Sequence, residues 1–341
     1  MASETIQSVT IEGFKSIRSI KDLPLRPINL LIGANGSGKS NFLEAFVFLR
    51  EAKEGRKDAY VAQLGGADKL LYFGSKTTQT ISISLGLPIR NTYSFHFMVM
   101  PDDSLVGIEA SGGLVPPGPS FPGQELSWQR YQFHDTGRHS PIKKTNQIDD
   151  NRFLRADGSN LAAFLYLLGQ RYRESYEMIR RTVRQVAPFF EDFQLEPLKL
   201  NPNTIKLEWR HKRSDQYFDA SAFSDGTLRF VALTTLFLQP LELRPSVLLV
   251  DEPELGLHPA AIGLLAAMMR QASRETRVIA ATQSPLLLDH FDPEDILVAN
   301  RIDGATTIER LKPEPLAEWL EDYSLGQLWE KGELTGRPGK E

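Results

Sequence analysis

The sequence predicts an α/β protein with a mostly parallel core sheet, an antiparallel β part and a helical insert. Three patterns predict it. An apolar run, Ile28-Asn29-Leu30-Leu31-Ile32, leads into a glycine loop and then a helical stretch. A second run, Val247-Leu248-Leu249-Val250, stops at two carboxylates. Between them, apolar and polar residues alternate at 81–85 and 93–99. Continuous runs suit parallel strands buried on both faces, and alternation suits strands with one wet face. With 341 residues, 41% hydrophobic and 24% charged, the chain can build a real core, as two domains or one elaborated one.

Each element follows in order. Val9-Thr10-Ile11 is a short strand that turns at Gly13, and 28–32 is a buried strand. Residues 41–50 are helical. Ile81, Ile83 and Leu85, then Tyr93, Phe95, Phe97 and Val99, mark antiparallel strands. The segment 111–123 holds four prolines and four glycines and reads as a loop. A strand is expected at 128–133, one helix over 159–188, and a strand through Ile205, Leu207 and Trp209. The last third returns to buried strands at 246–250 and 277–281, separated by helices at 228–238 and 259–273. The two ends should form one sheet. Residues 1–110 and 216–300 are expected as the split core, 111–215 as an inserted arm and 301–341 as a C-terminal segment. No repeat and no sustained heptad is present.

Composition excludes several chemistries. The absence of cysteine removes disulfide scaffolds, thiolate zinc sites, iron–sulfur clusters and cysteine nucleophiles. A net charge of -4 is not the global signature of a nucleic-acid-binding domain, though a local basic patch is compatible with it. No basic segment followed by an apolar one opens the chain, and no apolar run approaches the roughly 18 residues of a membrane helix. A soluble cytoplasmic protein without a membrane partner is expected.

The segment Gly33-Ala34-Asn35-Gly36-Ser37-Gly38-Lys39-Ser40 lies between strand and helix. That is the context of a phosphate-binding loop, in which glycines let backbone N–H groups turn toward phosphate oxygens at a positive helix end. Lys39 should reach the β/γ-phosphates and Ser40 should place its hydroxyl on Mg²⁺. ATP and Mg²⁺ are therefore the expected ligands, with Asn41 completing the nucleotide-binding stretch.

Asp251 and Glu252 follow the second apolar run directly, at the carboxyl edge of a sheet, where α/β ligands bind. Asp251 fits the holding of the Mg²⁺ shell and Glu252 the polarising of an attacking water. Ser224-Asp225-Gly226-Thr227 opens the helix at 228–238 and is a second small turn suited to an anion. It brings no lysine and no second carboxylate pair. Two phosphate-facing helix starts with one set of catalytic groups suggest two copies, each lending its Ser/Gly turn to the other's nucleotide. Alternatively the turn is a plain helix cap.

Four segments resemble ABC-type ATPase heads of the RecF/SMC branch that includes OLD-type ATPases, with stand-alone AAA-21-like ATPases the nearest in pattern. They are IEGFKSI, GANGSGKSN, FSDGTLRF, and VLLVDEPELGLHP followed by ATQSP. The resemblance implies a P-loop NTPase fold and a head-to-tail homodimer closed by ATP. It makes Ser224, Asp225, Gly226 and Thr227 the signature that meets the γ-phosphate in trans, and Asp251 and Glu252 the Walker B pair. Leu255, Gly256, Leu257 and His258 correspond to the D-loop, and Gln283 to the position of the switch histidine. Phe-Ser-Asp-Gly-Thr departs from the Leu-Ser-Gly-Gly-Gln of transporter heads. Gln283 can only donate a neutral hydrogen bond, so slow or partner-stimulated hydrolysis is expected. Gln63 is a candidate lobe-linking glutamine near the metal.

Two roles compete. In one, the pair gates a separate effector, a nuclease or toxin, in phage defence or a toxin–antitoxin system. In the other, it acts directly on DNA in repair or recombination. About 40 residues follow Asn300, too few for the Toprim nuclease of OLD-type relatives. A transporter head fits less well. The six histidines show no metal-ligand spacing, and His134 and His139 read as surface or structural residues. The run Arg210-His211-Lys212-Arg213 and the arginines of 171–184 are candidates for phosphate contact or solvated faces. Phe14 reads as core rather than as an adenine platform. The stretch 323–329 reads as a docking helix or as one packed on its own sheet.

Overall fold

The computed structural model describes residues 5–88, 92–108 and 126–334. The chain begins with β1 (Ser8–Phe14), β2 (Ile17–Pro24), β3 (Ile28–Ile32), α1 (Lys39–Lys53) and α2 (Lys57–Gln63). Four strands follow: β4 (Thr80–Gly86), β5 (Thr92–Val99), β6 (Leu105–Ile108) and β7 (Trp128–Tyr131). The middle holds β8 (Asn146–Gln147), α3 (Leu161–Arg171), α4 (Arg173–Val186), β9 (Phe190–Gln194), β10 (Thr204–Ile205), β11 (Glu208–His211), β12 (Tyr217–Asp219) and α5 (Asp225–Leu238). It ends with β13 (Val247–Asp251), α6 (Pro259–Ala272), β14 (Arg277–Ala281), α7 (Pro285–Leu288), β15 (Ile296–Ile302), β16 (Ala305–Arg310), α8 (Ala317–Asp322) and α9 (Leu325–Lys331). The proline- and glycine-rich loop expected at 111–123 lies outside the described residues.

The residues form two compact units. The first takes 1–130, 246–249 and 277–341, and the second 131–245 and 250–276. These limits differ from the expected ones at 110 and 215. Trp128 belongs to the first unit, and the helix at 228–238 to the second.

The first unit contains a six-stranded sheet in the order β16-β15-β3-β14-β13-β7. β3 runs parallel to β14, with Leu31 opposite Ala281, and parallel to β15, with Ile32 opposite Val298. All five residues of β3 are buried, the physical reason for its continuous apolar run. The strand expected in the arm at 128–133 is the edge strand β7 of this sheet instead. It is held by the Ser127 carbonyl accepting from Val247 N and by Trp128 Nε1 donating to the Phe46 carbonyl at 2.6 Å.

The second sheet of this unit is antiparallel, in the order β2-β1-β4-β5-β6. Ile81, Ile83 and Leu85 of β4 point inward and their polar neighbours outward, as the alternation predicts. The turn expected at Gly13 falls one step later. Gly13 lies inside β1 at φ +72°, where a Cβ would overlap the Thr80 carbonyl and only glycine fits, and the hairpin turns at Lys15 and Ser16. Phe14 is core, 5.8 Å from the Phe48 ring, and Phe48 in turn lies 4.9 Å from Phe97. The stretch 323–329 enters α9, which packs on α7 at Gly326, where a Cβ would overlap the Pro285 carbonyl and the N–H donates to Asp289 Oδ1 at 2.6 Å.

In the second unit the helix expected over 159–188 is two helices. The backbone leaves helical dihedrals at Tyr172 (φ −127°, ψ 57°), and the Tyr176 ring packs where Gly169 has no side chain. The strand expected through 205–209 is also two: β10 pairs with β8, and β11 lies between β9 and β12. Three of the basic residues are paired with acids of the unit. Arg180 pairs with Asp192 at 2.7 Å and Glu177 at 2.5 Å, Arg173 with Glu177 at 3.1 Å, and Arg210 with Glu191 at 2.9 Å. Among the described residues, no helix is long and apolar enough to cross a membrane.

Candidate active site

The first unit carries the glycine loop expected to bind phosphate. β3 delivers the chain into residues 33–38, and α1 starts at Lys39. A Cβ on Gly33 would overlap the Ala299 carbonyl and come within 2.5 Å of Ser37 Oγ. Gly38 adopts φ +103°, where a Cβ would fall on the Thr306 hydroxyl. The loop is therefore packed from behind, and only glycine fits its inner positions. Its tip is open: Gly36, at φ +79°, faces free space, and Asn35 and Gly36 are exposed. Lys39 is buried and donates through Nζ to the carbonyls of Gly33 at 2.6 Å and Ala34 at 3.0 Å. Ser37 Oγ is buried inside the loop without a hydrogen-bond partner. Such a group is costly unless a ligand satisfies it. Glycines, an inward lysine, an orphan hydroxyl and the leading N–H groups of a 15-residue helix fit a phosphate chain. Ser40, at the start of α1, is exposed.

A line of hydrogen bonds braces this loop. Asn41 Nδ2 donates to Ser16 Oγ at 2.7 Å, Ser16 Oγ to Thr306 Oγ1 at 2.7 Å, and Thr306 Oγ1 to the Ser37 carbonyl at 2.8 Å. Each hydroxyl accepts one bond and donates the next, an arrangement in which neighbouring bonds reinforce one another. Arg301 Nη1 donates to the Gly36 carbonyl at 3.2 Å. Next to this brace lies a cavity of about 420 Å³ lined by Lys15, Ser16, Asn41, Phe73, Arg301 and Gly304, among others. Its size is ample for a nucleoside. Phe73 is 61% exposed at φ +53°, an uncommon backbone state for a bulky residue, and its ring lies over Gly304. Lys15 is steadied by Glu44 at 2.5 Å, which also accepts from Tyr60 Oη at 3.0 Å. Burial and the Glu44 charge push the Tyr60 hydroxyl up, so it stays protonated and donates.

Gln283 lies two residues past Ala281 of β14, and Ala281 pairs with Leu31 of β3. The parallel register thus puts half-buried Gln283 level with Gly33 at the same sheet edge. Gln63 is the exposed last residue of α2.

The second unit carries the other groups. Asp251 ends β13 and is buried, with 8% of its surface exposed. Glu252 follows at φ +43°, and buried Pro253 continues the turn. The turn is closed by Leu255 N donating to the Glu252 carbonyl and Leu257 N to that of Glu254. Leu255, Gly256 and His258 are exposed, and His258 Nδ1 caps α6 by accepting from Ala260 N at 3.2 Å.

Ser224 is the N-cap of α5. Its Oγ accepts from Thr227 N at 3.2 Å and lies 2.8 Å from Thr227 Oγ1. The cap role is thus real, and it leaves Ser224 and Asp225 exposed at the positive end of a 14-residue helix. Phe223, before the turn, stacks on Trp209 at 4.5 Å between ring centroids and is buried, which accounts for phenylalanine at this position. Asp225 Oδ1 lies 3.6 Å from Lys143 Nζ, which donates to the Thr136 carbonyl at 2.5 Å. Gly226 abuts the Gly256 carbonyl so closely that a Cβ would overlap it. The Ser224–Thr227 turn and the Leu255–His258 segment are therefore in direct contact at the Gly256 carbonyl.

Several of these residues were not singled out as site residues in the sequence. Thr306, Arg301 and Lys143 lack any local motif, and Arg229 lies within FSDGTLRF, where nothing in the sequence assigned it a role of its own. His134, read as structural, is half-buried and places Nε2 3.1 Å from the Asp251 carbonyl.

Comparison with known proteins finds ATPase families and a shared fold. Residues 126–289 match the family described as "AAA domain, putative AbiEii toxin, Type IV TA system", and residues 5–160 match "AAA ATPase domain". A stretch of 45 residues is 44% identical to the DNA replication and repair protein RecF of Shewanella denitrificans, covering 13% of this chain and only 12% of that protein. The fold is similar to an SMC head bound to the C-winged helix domain of ScpA, with a TM-score of 0.62 and 20% identity over 92% of this chain and 99% of that one. An SMC head from Pyrococcus furiosus, with an extended coiled coil and bound to the C-terminal domain of ScpA, gives 0.60 and 16% over 94% and 99%. One from Pyrococcus yayanosii, with a coiled coil and joint, gives 0.60 and 13% over 94% and 99%. At these identities the likeness is one of fold.

Proposed function

We propose that this chain works as an ABC-type ATPase head of the RecF/SMC-like branch, binding Mg·ATP and hydrolysing it in a head-to-tail pair of copies. The observation that carries the reading is the phosphate loop, with Gly33 and Gly38 packed from behind, Lys39 turned inward and the Ser37 hydroxyl buried without a partner. The triphosphate would lie along residues 33–41. Lys39 would exchange its two carbonyls for the β/γ-phosphates, and the nucleoside would occupy the cavity under Phe73. Among the described residues, no group of three or more acids and histidines makes a metal cage. Ser40 and Asp251 would instead hold Mg²⁺ together with phosphate oxygens and water, as this cation prefers. Bound Mg²⁺ supplies neutralisation of the developing phosphate charge. Glu252 would accept the proton of the attacking water, and Gln283 would donate to the γ-phosphate. Gln63 would complete the metal surroundings when the lobe carrying it closes.

The Ser224–Thr227 turn, with Ser224 and Asp225 exposed, supports the pairing, since a helix start without its own lysine-bearing loop would suit an anion held by another copy. ATP would then close the pair, with the Leu255–His258 segments at the seam, and hydrolysis would open it. The work would be done on a separate effector, a nuclease or toxin, in the cytoplasm. The rival, a head acting directly on DNA, draws less support, because Arg173, Arg180 and Arg210 are already paired with acids.

The test is calorimetry of ATP on Lys39→Ala beside phosphate release by Glu252→Gln. Losing a hydrogen bond to a charged group, worth roughly 1.5–3 kcal/mol, should weaken ATP binding at least about tenfold in the first. The second should bind normally and turn over about 100- to 10,000-fold more slowly. Unchanged affinity or unchanged turnover would overturn the assignment of Lys39 or Glu252.

A further inference from the structure

Arg229 lies on α5, five residues beyond Ser224, a little more than one helical turn. Its guanidinium serves three backbone carbonyls. Nε donates to Phe133 at 3.2 Å, Nη2 to His134 at 2.8 Å and Nη1 to Leu255 at 3.0 Å. A planar fork that satisfies acceptors on two remote segments fixes them relative to each other and to the helix.

Each of those segments leads to Glu252. Segment 133–134 presents His134, whose ring accepts from the Gln132 amide at Nδ1, 3.0 Å, and donates from Nε2 to the Asp251 carbonyl, 3.1 Å. That carbonyl belongs to the peptide entering Glu252. Leu255 closes the turn leaving Glu252, since its N–H donates to the Glu252 carbonyl at 3.1 Å. Glu252 itself sits at φ +43°, a state that persists only where the surroundings over-determine it. Both ends of its backbone therefore trace to one arginine, each through one intervening residue, Leu255 on one side and His134 on the other. The contact of Gly226 with the Gly256 carbonyl is a second tie between the signature turn and this segment.

We infer that Arg229 is a positioning residue that links the signature turn to Glu252 of the same chain. In a head-to-tail pair that turn engages the nucleotide held by the other copy, so the link lets occupation of one seam site set the base of the other. The inference rests on the paired-head reading above. It predicts cooperative hydrolysis that depends on a residue outside the reacting atoms.

The experiment uses the full chain and follows hydrolysis against ATP concentration, with ATP affinity measured by calorimetry and pairing by light scattering. Arg229→Lys keeps the charge but cannot span three carbonyls. It should keep ATP affinity within about twofold, lose cooperativity, and lower kcat on the order of tenfold to a hundredfold, the scale of a misplaced catalytic group. His134→Ala removes one link while leaving the carbonyls that Arg229 grips. It should lower kcat with cooperativity retained. A merely structural arginine would lower stability without separating kcat from affinity. A parent that pairs with ATP, beside an Arg229→Lys variant of parental kcat and cooperativity, overturns the link alone. A parent that does not pair overturns the paired-head reading and the link with it. Should Arg229→Lys fail to fold, parental kcat from His134→Ala still overturns the path through Asp251.

Discussion

Ser224 is both a demonstrated helix cap and a proposed ligand of a phosphate on another copy, and one pair of substitutions separates the two. Ser224→Ala removes the Oγ that accepts from Thr227 N. Loss of such a cap costs about 1 kcal/mol, or roughly 2 °C in Tm for a chain this large. Ser224→Asp keeps a good cap and adds a negative charge to a positive helix end, so stability should hold or rise slightly. Toward a phosphate it acts in the opposite sense. Two like charges at about 4 Å repel by about 4 kcal/mol at an effective dielectric near 20, which is roughly a thousandfold in an association constant. A closed pair would carry that repulsion at both seams, and added salt would relieve part of it. The assay is light scattering with ATP in a Glu252→Gln background, next to thermal unfolding of both variants. Ser224→Asp should melt like the parent and stay monomeric, whereas Ser224→Ala should melt lower and still pair in part. If Ser224→Asp pairs with ATP as the parent does, Ser224 is a cap and nothing more.

Mixing gives a complementary result: a Ser224→Asp chain paired with a Lys39→Ala chain holds one doubly damaged site and one intact site. Such mixtures should recover part of the ATPase activity that each variant lacks alone, and no recovery speaks against a shared site. Thr306→Val breaks the bonded line from Asn41 to the Ser37 carbonyl, leaving a buried carbonyl unsatisfied. It should destabilise by about 1–3 kcal/mol and weaken ATP binding in calorimetry; parental affinity would separate the brace from the site. Burial pushes the Glu51 carboxyl up, but hydrogen bonds from Arg56 and then Arg50 outweigh it and hold it below its ordinary range. Its folded value is the lower one, so its stabilisation is present at neutral pH and lost as pH falls through that value. Glu51→Gln should therefore melt lower than the parent at pH 7, with the gap closing in acid. An equal gap at both pH values would exclude the ion pairs as its cause.

The phosphate loop was legible because everything that defines it is local. A buried strand, a glycine turn and a helix starting with Lys39 and Ser40 are consecutive in the chain, and their residue types are dictated by close packing and charge. The strand end at Asp251 was legible for the same reason, since a polar residue directly after four apolar ones marks the edge of a buried sheet, whereas Gln283 came only from the family resemblance. Chain breaks were less so. Nothing in the apolar spacing of 161–183 distinguishes one helix from two, and the Tyr172 break depends on how Tyr176 packs on Gly169.

Other features were decided by tertiary structure alone. Ser16 and Thr306 meet across 290 positions to brace the loop, and β7 crosses from the expected arm into the core sheet. Arg229 and His134 act on the carbonyls of Phe133, His134, Leu255 and Asp251. A backbone carbonyl is the same whatever side chain it carries. The acceptors that orient Glu252 therefore leave no trace in residue type or spacing, and only the folded chain brings them within reach of the donors.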